Sequence, residues 1–129
     1  MPAVEAMRAN HWIGIGALSA AAAVALGAFG AHALKETLEP EQLEIWHTAV
    51  QYQVLHALAL IIFGLYRGRH PSSNLPGWAF LVGSVCFSGS LYGLALGGPR
   101  FLGPITPLGG LAFLFGWILL GLAALRQKR

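Results

Sequence analysis

His56 stands in a stretch, from Trp46 to Tyr66, that contains no acid, lysine or arginine. A charged side chain at such a place costs about 2.5–3.5 kcal/mol on insertion scales, and histidine is tolerated more readily because it can stay neutral. At 100° per residue, Thr48, Tyr52, Gln53 and His56 fall on one broad helical face. Two chemistries fit that face. A histidine among polar neighbours can pass protons or line a solute path, whereas a neutral one can share a hydrogen bond that sets helix register. The second fits better, because no intramembrane carboxylate or lysine accompanies His56 and energy-coupled transport draws on such groups. Ser88, with Ser84 one turn away, lies in the middle of a later apolar segment. The expected bond is therefore His56–Ser88 or His56–Tyr52.

A second polar stripe, Glu44, His47 and Gln51, follows i, i+3, i+7 spacing, and His32 is expected at similar depth. Glu-x-x-His is the spacing of di-iron helix bundles, but those take further carboxylates from their other helices, which this chain does not offer. His32 and His47 are the only pair that could face each other across a haem, and His56 lies deeper. The chain has no aspartate, and its one cysteine, Cys86, sits among apolar residues, which leaves neither a nucleophile arrangement nor a disulfide. No catalytic residues, metal or cofactor are expected, and the chain does not read as an enzyme. The Glu44 stripe and His32 are expected to bond to one another and to water.

The elements that must position these residues follow from composition. Of 129 residues, 56% are hydrophobic and 10% charged, against about 25% charged in soluble domains. A net charge of +3 gives no footing for nucleic acid. A hydrocarbon core of about 30 Å needs about 20 helical residues, and four stretches meet that length: 12–34, 46–66, 78–96 and 107–125. The expected fold is a single all-α domain, a four-helix membrane bundle. Arg8 followed by an apolar run and Ala31-His32-Ala33 has the outline of a secretory signal, but the run exceeds the usual h-region of about 7–15 residues, so a retained span is expected. Trp12, Trp46, Tyr66 and Trp78 lie at span ends, where such rings favour the headgroup layer, and Trp117 does not. Arg8, Arg67, Arg69, Arg126, Lys128 and Arg129 fall on one side of the membrane, against Lys35 and Arg100 on the other. By the positive-inside rule, both termini are expected in the cytoplasm of a plasma-type, bacterial inner membrane.

Between the spans, Pro40 flanked by Glu39 and Glu41 suits a helix start, so the second helix is expected to begin outside the membrane. Thr106-Pro107 reads as N-cap and first position of the fourth. In lipid, small residues four apart mark contact faces. Ser19, Ala23, Gly27 and Ala31 form such a row on the first span, and Gly89, Gly93 and Gly97 on the third. These rows serve packing within the bundle or an interface between copies. Phe29-Gly30-Ala31-His32-Ala33-Leu34 is echoed by Tyr92-Gly93-Leu94-Ala95-Leu96, a faint internal repeat.

Longer motifs carry a resemblance. They are Gly27-Ala28-Phe29-Gly30-Ala31-His32-Ala33-Leu34, then Trp46-His47-Thr48-Ala49-Val50-Gln51-Tyr52-Gln53 with His56-Ala57-Leu58-Ala59-Leu60. Phe87-Ser88-Gly89-Ser90-Leu91-Tyr92 follows, then Gly103-Pro104-Ile105-Thr106-Pro107-Leu108-Gly109-Gly110 with Gly116-Trp117. In this order, over nearly the whole chain, they resemble the DUF423 family of small bacterial inner-membrane proteins, which has animal relatives. The resemblance implies four spans and no known reaction. It points to His32, His47, Gln51, Tyr52, Gln53, His56, Ser88, Ser90, Tyr92 and Thr106 as the polar motif positions. The leading expectation is a structural or accessory membrane protein that binds lipid or a partner complex through its helix faces. The alternative is an oligomeric channel or transporter with His56, Gln53, Tyr52 and Ser88 along its path.

Overall fold

The computed structural model describes residues 7–127. Four helices follow in order: α1 (Ala9–His32), α2 (Pro40–Arg69), α3 (Leu75–Ala95) and α4 (Leu102–Arg126), with a single 3-10 turn at Leu34–Glu36 after α1. Among the described residues there is no strand. Each helix packs on its neighbour in sequence, α1 on α2, α2 on α3 and α3 on α4. The chain reverses at every connection, so Arg8, Arg67, Arg69 and Arg126 gather at one end, while Lys35 and Arg100 lie at the other. Lys128 and Arg129 lie outside the described residues.

All four helices are long and apolar enough to cross a membrane. The outward faces carry Leu18, Val24, Leu58, Ile62, Val85, Leu114 and Ile118. An apolar exterior around a partly polar interior is the arrangement that lipid, not water, stabilises. α2 begins at Pro40, as its flanking acids suggest, with Gln42 reaching back to the Glu39 N–H at 3.1 Å. Its 30 residues make a rod of about 45 Å, longer than a hydrocarbon core of about 30 Å.

α4 departs from expectation. It begins at Leu102, so Thr106 is no N-cap and Pro107 lies inside the helix. Pro104 sits in the first turn, where N–H groups have no intrahelical partner and proline costs little. The Thr106 hydroxyl instead pairs with that of Ser90 across the α3–α4 contact. α3 ends in a Schellman motif. Gly97 adopts φ +85°, the Gly98 N–H reaches the Gly93 carbonyl at 2.8 Å, and the Gly97 N–H reaches Leu94 at 3.1 Å.

The small-residue rows also change. On α1 the buried positions are Trp12, Gly16, Ala23 and Gly30, whereas Ser19 and Gly27 are half-buried and Ala31 is exposed. Spacing by seven keeps a residue on the contact line of a helix with 3.6 residues per turn, and the row of fours drifts off it. A methyl group added to Gly16 would stand 2.7 Å from the Ala57 carbonyl, and one on Gly30 would meet the Trp46 ring at 2.6 Å. On α3 the buried contact glycines are Gly77, covered by Trp12, and Gly83, covered by Phe113, not Gly89, which has open space before it. Gly93 is covered by Leu102, and Gly97 serves the turn. The α3–α4 contact sets aromatic rings on glycines, Phe80 over Gly116 and, in the reverse sense, Phe113 over Gly83, and brings the backbone of Phe87 directly against Gly109.

Two of the tryptophans at span ends are packed into the protein. Trp12 is fully buried, and its indole N–H donates to Asn74 Oδ1 at 2.9 Å. Asn74 in turn donates to the Met7 carbonyl at 3.0 Å, so this side chain ties the start of α3 to the start of α1. Trp46 donates to the Leu26 carbonyl at 2.9 Å and lies edge-on to Tyr92. At each end of the bundle, an indole nitrogen is satisfied by a neighbouring helix or its approach.

Candidate functional site

α2 and α3 meet where Ser88 Oγ donates to the Ala49 carbonyl at 2.8 Å. That bond corrects the expected His56–Ser88 pair: the serine hydroxyl is already engaged with backbone. The polar residues expected to share one face are divided between the two flanks of this contact.

His56 lies on the α4 flank and is 2% exposed. Its Nδ1 is 2.9 Å from the Tyr52 carbonyl, so the expected bond with Tyr52 forms through the backbone of that residue, not its phenol. Its Nε2 is 3.0 Å from Nε1 of Trp117. An indole nitrogen can only donate, so Nε2 must accept and the proton must sit on Nδ1, directed at the carbonyl. Both ring nitrogens are therefore engaged in the neutral tautomer. The imidazole stacks on Phe113 at 3.4 Å between centroids with planes 6° apart, and Tyr52 and Phe80 complete an aromatic enclosure. On its outer side an apolar groove of about 580 Å³ opens between α2 and α4, lined by Leu55, Phe87, Leu111, Leu114 and Trp117 among others.

Gln53 lies on the α1 flank. Its Nε2 donates to the Ser19 carbonyl at 3.0 Å, and its Oε1 accepts from the Tyr92 hydroxyl at 2.6 Å. One side chain of α2 thus holds both α1 and α3. Beside it a cleft of about 350 Å³ opens between α1 and α3, lined by Ser19, Leu26, Gln53, Ser84, Ser88, Gly89 and Tyr92 among others.

The outer stripe is not drawn into either place. Glu44, His47, Gln51 and His32 are all exposed. The contact at Glu44 is local, its backbone carbonyl accepting from Thr48 Oγ1 at 3.0 Å. Among the described residues, no group of three or more histidine, cysteine or acidic side chains is arranged to hold a metal. Sequence reasoning missed Trp117 as the partner of His56 and Asn74 as the partner of Trp12. A signal for the first was present: a tryptophan away from a span end must find an acceptor for its N–H within the protein.

This fold defines a class, small four-span membrane proteins whose intramembrane polar groups are mostly satisfied by one another and by backbone. Residues 26–110 match the model of a family described as a protein of unknown function, DUF423, and the chain belongs to that family. It is 47% identical over 113 residues to a UPF0382 membrane protein of Staphylococcus epidermidis, covering 87% of this chain and 93% of the relative. It is 44% identical over 115 residues to the UPF0382 membrane protein YwdK of Bacillus subtilis, covering 87% and 94%. The UPF0382 membrane protein SH2409 of Staphylococcus haemolyticus is 48% identical over 107 residues, covering 82% and 88%. No solved structure matches. The family assignment establishes a membrane protein and carries no reaction with it.

Proposed function

We propose that this chain is a non-catalytic accessory protein of the bacterial inner membrane, acting by contact with lipid or a partner complex and not by moving protons or ions. The observation that carries this reading is the closure of His56: both ring nitrogens are bonded, to the Tyr52 carbonyl and to the Trp117 indole, and the ring is covered by Phe113. A proton carrier needs a nitrogen free to bind and release; here Nε2 is held by the Trp117 indole on α4 and Nδ1 by the Tyr52 carbonyl on the same helix, so neither is free without breaking a bond. The groove beside it, whose wall includes His56 and Tyr52, is otherwise apolar and offers contact area. The orientation belongs to the same reading. Arg8, Arg67, Arg69 and Arg126 mark the end that faces the cytoplasm, with both termini there, and Lys35 and Arg100 mark the other.

A second reading, a small-solute path, draws support from the hydroxyl and amide lining of the α1–α3 cleft. Reconstitution separates the two. Liposomes with the purified protein, loaded with a pH-sensitive dye and challenged with proton and potassium gradients, should leak at the rate of protein-free liposomes. A protein-dependent flux abolished by His56→Leu would overturn the accessory reading. Single cysteines at residues 70 and 100, probed with a membrane-impermeant thiol reagent on intact cells, test the orientation: only residue 100 should react.

A further inference from the structure

The α1–α3 cleft sets polar groups beside open space. It is lined by polar side chains inside a spanning region: Ser19, Gln53, Ser84, Ser88 and Tyr92. Ser84 Oγ has no hydrogen-bond partner although it is covered, and an unmet hydroxyl in an apolar setting carries a desolvation cost. Gly89, in the same wall, has nothing within 4 Å of where a Cβ would stand. A glycine inside a helix is less favourable than alanine. At Gly16, Gly30 or Gly83 a neighbouring group requires the glycine; at Gly89, as at Gly14 and Gly121, none does, and here the open space belongs to the cleft. A side chain at residue 89 would project into space that the protein leaves open.

We infer that this cleft is a binding site for a neutral amphiphile, a molecule with one hydroxyl or carbonyl head on an apolar body. The class follows from the lining. No lysine, arginine, histidine or acid lines the cleft, so a charged head would lie unpaired in apolar surroundings. The Ser84 hydroxyl, turned about χ1 to another staggered position, supplies a donor, and Gln53 Oε1 keeps a second lone pair after accepting from Tyr92. Leu26, Leu81 and Val85 line the same cleft and would meet the apolar body. The volume of about 350 Å³ lies within the range of small-molecule sites. This inference rests on the reading of the chain as a binding protein, and its test measures occupancy, so it fails or stands apart from the flux experiment.

The test uses the full chain in phosphatidylcholine nanodiscs with a monoacylglycerol probe carrying a diazirine in its chain, cross-linked by light and mapped by peptide mass spectrometry. Labelling should concentrate on Leu26, Leu81 and Val85, saturate with probe, and be displaced by monoolein but not by an octadecene of similar chain length. Gly89→Leu, which fills the cleft, should lower labelling there at least fivefold. Gly121→Leu is the control, since Gly121 also has open space before it but lies elsewhere, on α4, and it should leave labelling unchanged. Labelling that does not saturate, or that survives Gly89→Leu, would overturn the site. Equal displacement by octadecene would overturn recognition of the head, leaving a surface that any chain can touch.

Discussion

The Trp117 indole meets the His56 imidazole at 3.0 Å, nitrogen to nitrogen, across 61 residues of sequence. Because the indole can only give a proton, this contact decides which nitrogen of the histidine is bare. It also sets the rotation of α4 against α2, since Phe113, one turn earlier, must lie flat on the same ring. Nitrogen NMR on histidine-labelled protein in which the other four histidines are replaced by glutamine should therefore show, at neutral pH, a neutral His56 ring protonated at Nδ1. A His56 signal from the Nε2-protonated tautomer would refute the bond.

The energetic counterpart is a double-mutant cycle. Trp117→Phe keeps a ring and removes the donor; His56→Phe keeps a ring and removes the acceptor. Interhelical hydrogen bonds in membranes average about 0.6 kcal/mol in such cycles, with a maximum near 1.7. The coupling here is expected toward the upper part of that range, because the stacked Phe113 excludes competing partners from the imidazole. Unfolding in mixed micelles, followed by the remaining tryptophans, measures it. A coupling indistinguishable from zero would make the contact incidental.

Asn74 is the next place where one side chain carries several contacts. Its amide joins the Trp12 indole, in the first turn of α1, and the Met7 carbonyl, on the approach to that helix. Asn74→Ala leaves a buried indole N–H unmet and should destabilise by about 1–3 kcal/mol. Asn74→Asp restores an acceptor for Trp12 but not the donor to Met7, and places a charge where the residue is fully covered, so it should not rescue. Rescue by aspartate would mean that the indole bond alone matters.

The glycines separate packing from mere smallness. Gly16→Ala must push the Ala57 carbonyl or Ile61 aside and should cost about 1–3 kcal/mol, in the range of overpacked cores. Gly14→Ala, two residues away and facing open space, should be neutral or stabilise by up to about 1 kcal/mol. Equal effects at the two positions would contradict the α1–α2 interface described above.

These contrasts also show where the sequence was legible. The four spans were plain because each is an uninterrupted apolar run, and the start of α2 because Pro40 and its flanking acids act locally. The small-residue rows were legible as a type but not as a face. Ser19, Ala23, Gly27 and Ala31 satisfy the four-residue rule as well as Gly16, Ala23 and Gly30 satisfy the seven-residue one, and only the crossing of α1 on α2 chooses between them. His56 was legible as a residue needing partners. Which partners it takes depends on how α4 is turned, and the weak amphipathic pattern of a helix surrounded by lipid carries almost no record of that. The start of α4 was misread because Gly-Pro-Ile-Thr-Pro is loop chemistry in isolation, while in place Pro104 falls in a first turn that does not need its N–H.

Gln53 offers the sharpest test of how the two halves are joined. Its amide donates to α1 at the Ser19 carbonyl and accepts from α3 at the Tyr92 hydroxyl, so a single substitution can release both helices from α2. Tyr92→Phe removes one of the two bonds and leaves the ring against Trp46, and should cost about 0.5–1.5 kcal/mol. Gln53→Leu removes both and strands the tyrosine hydroxyl, so its cost should exceed that of Tyr92→Phe. In the Tyr92→Phe background, Gln53→Leu should cost less than it does alone, because the hydroxyl it would strand is already gone. If the two costs simply add, Gln53 and Tyr92 are not coupled and α1 and α3 are held independently of one another. If they fall short of additivity by about 0.6 kcal/mol or more, as interhelical bonds in membranes do on average, the Gln53 amide is the joint through which α2 holds both helices.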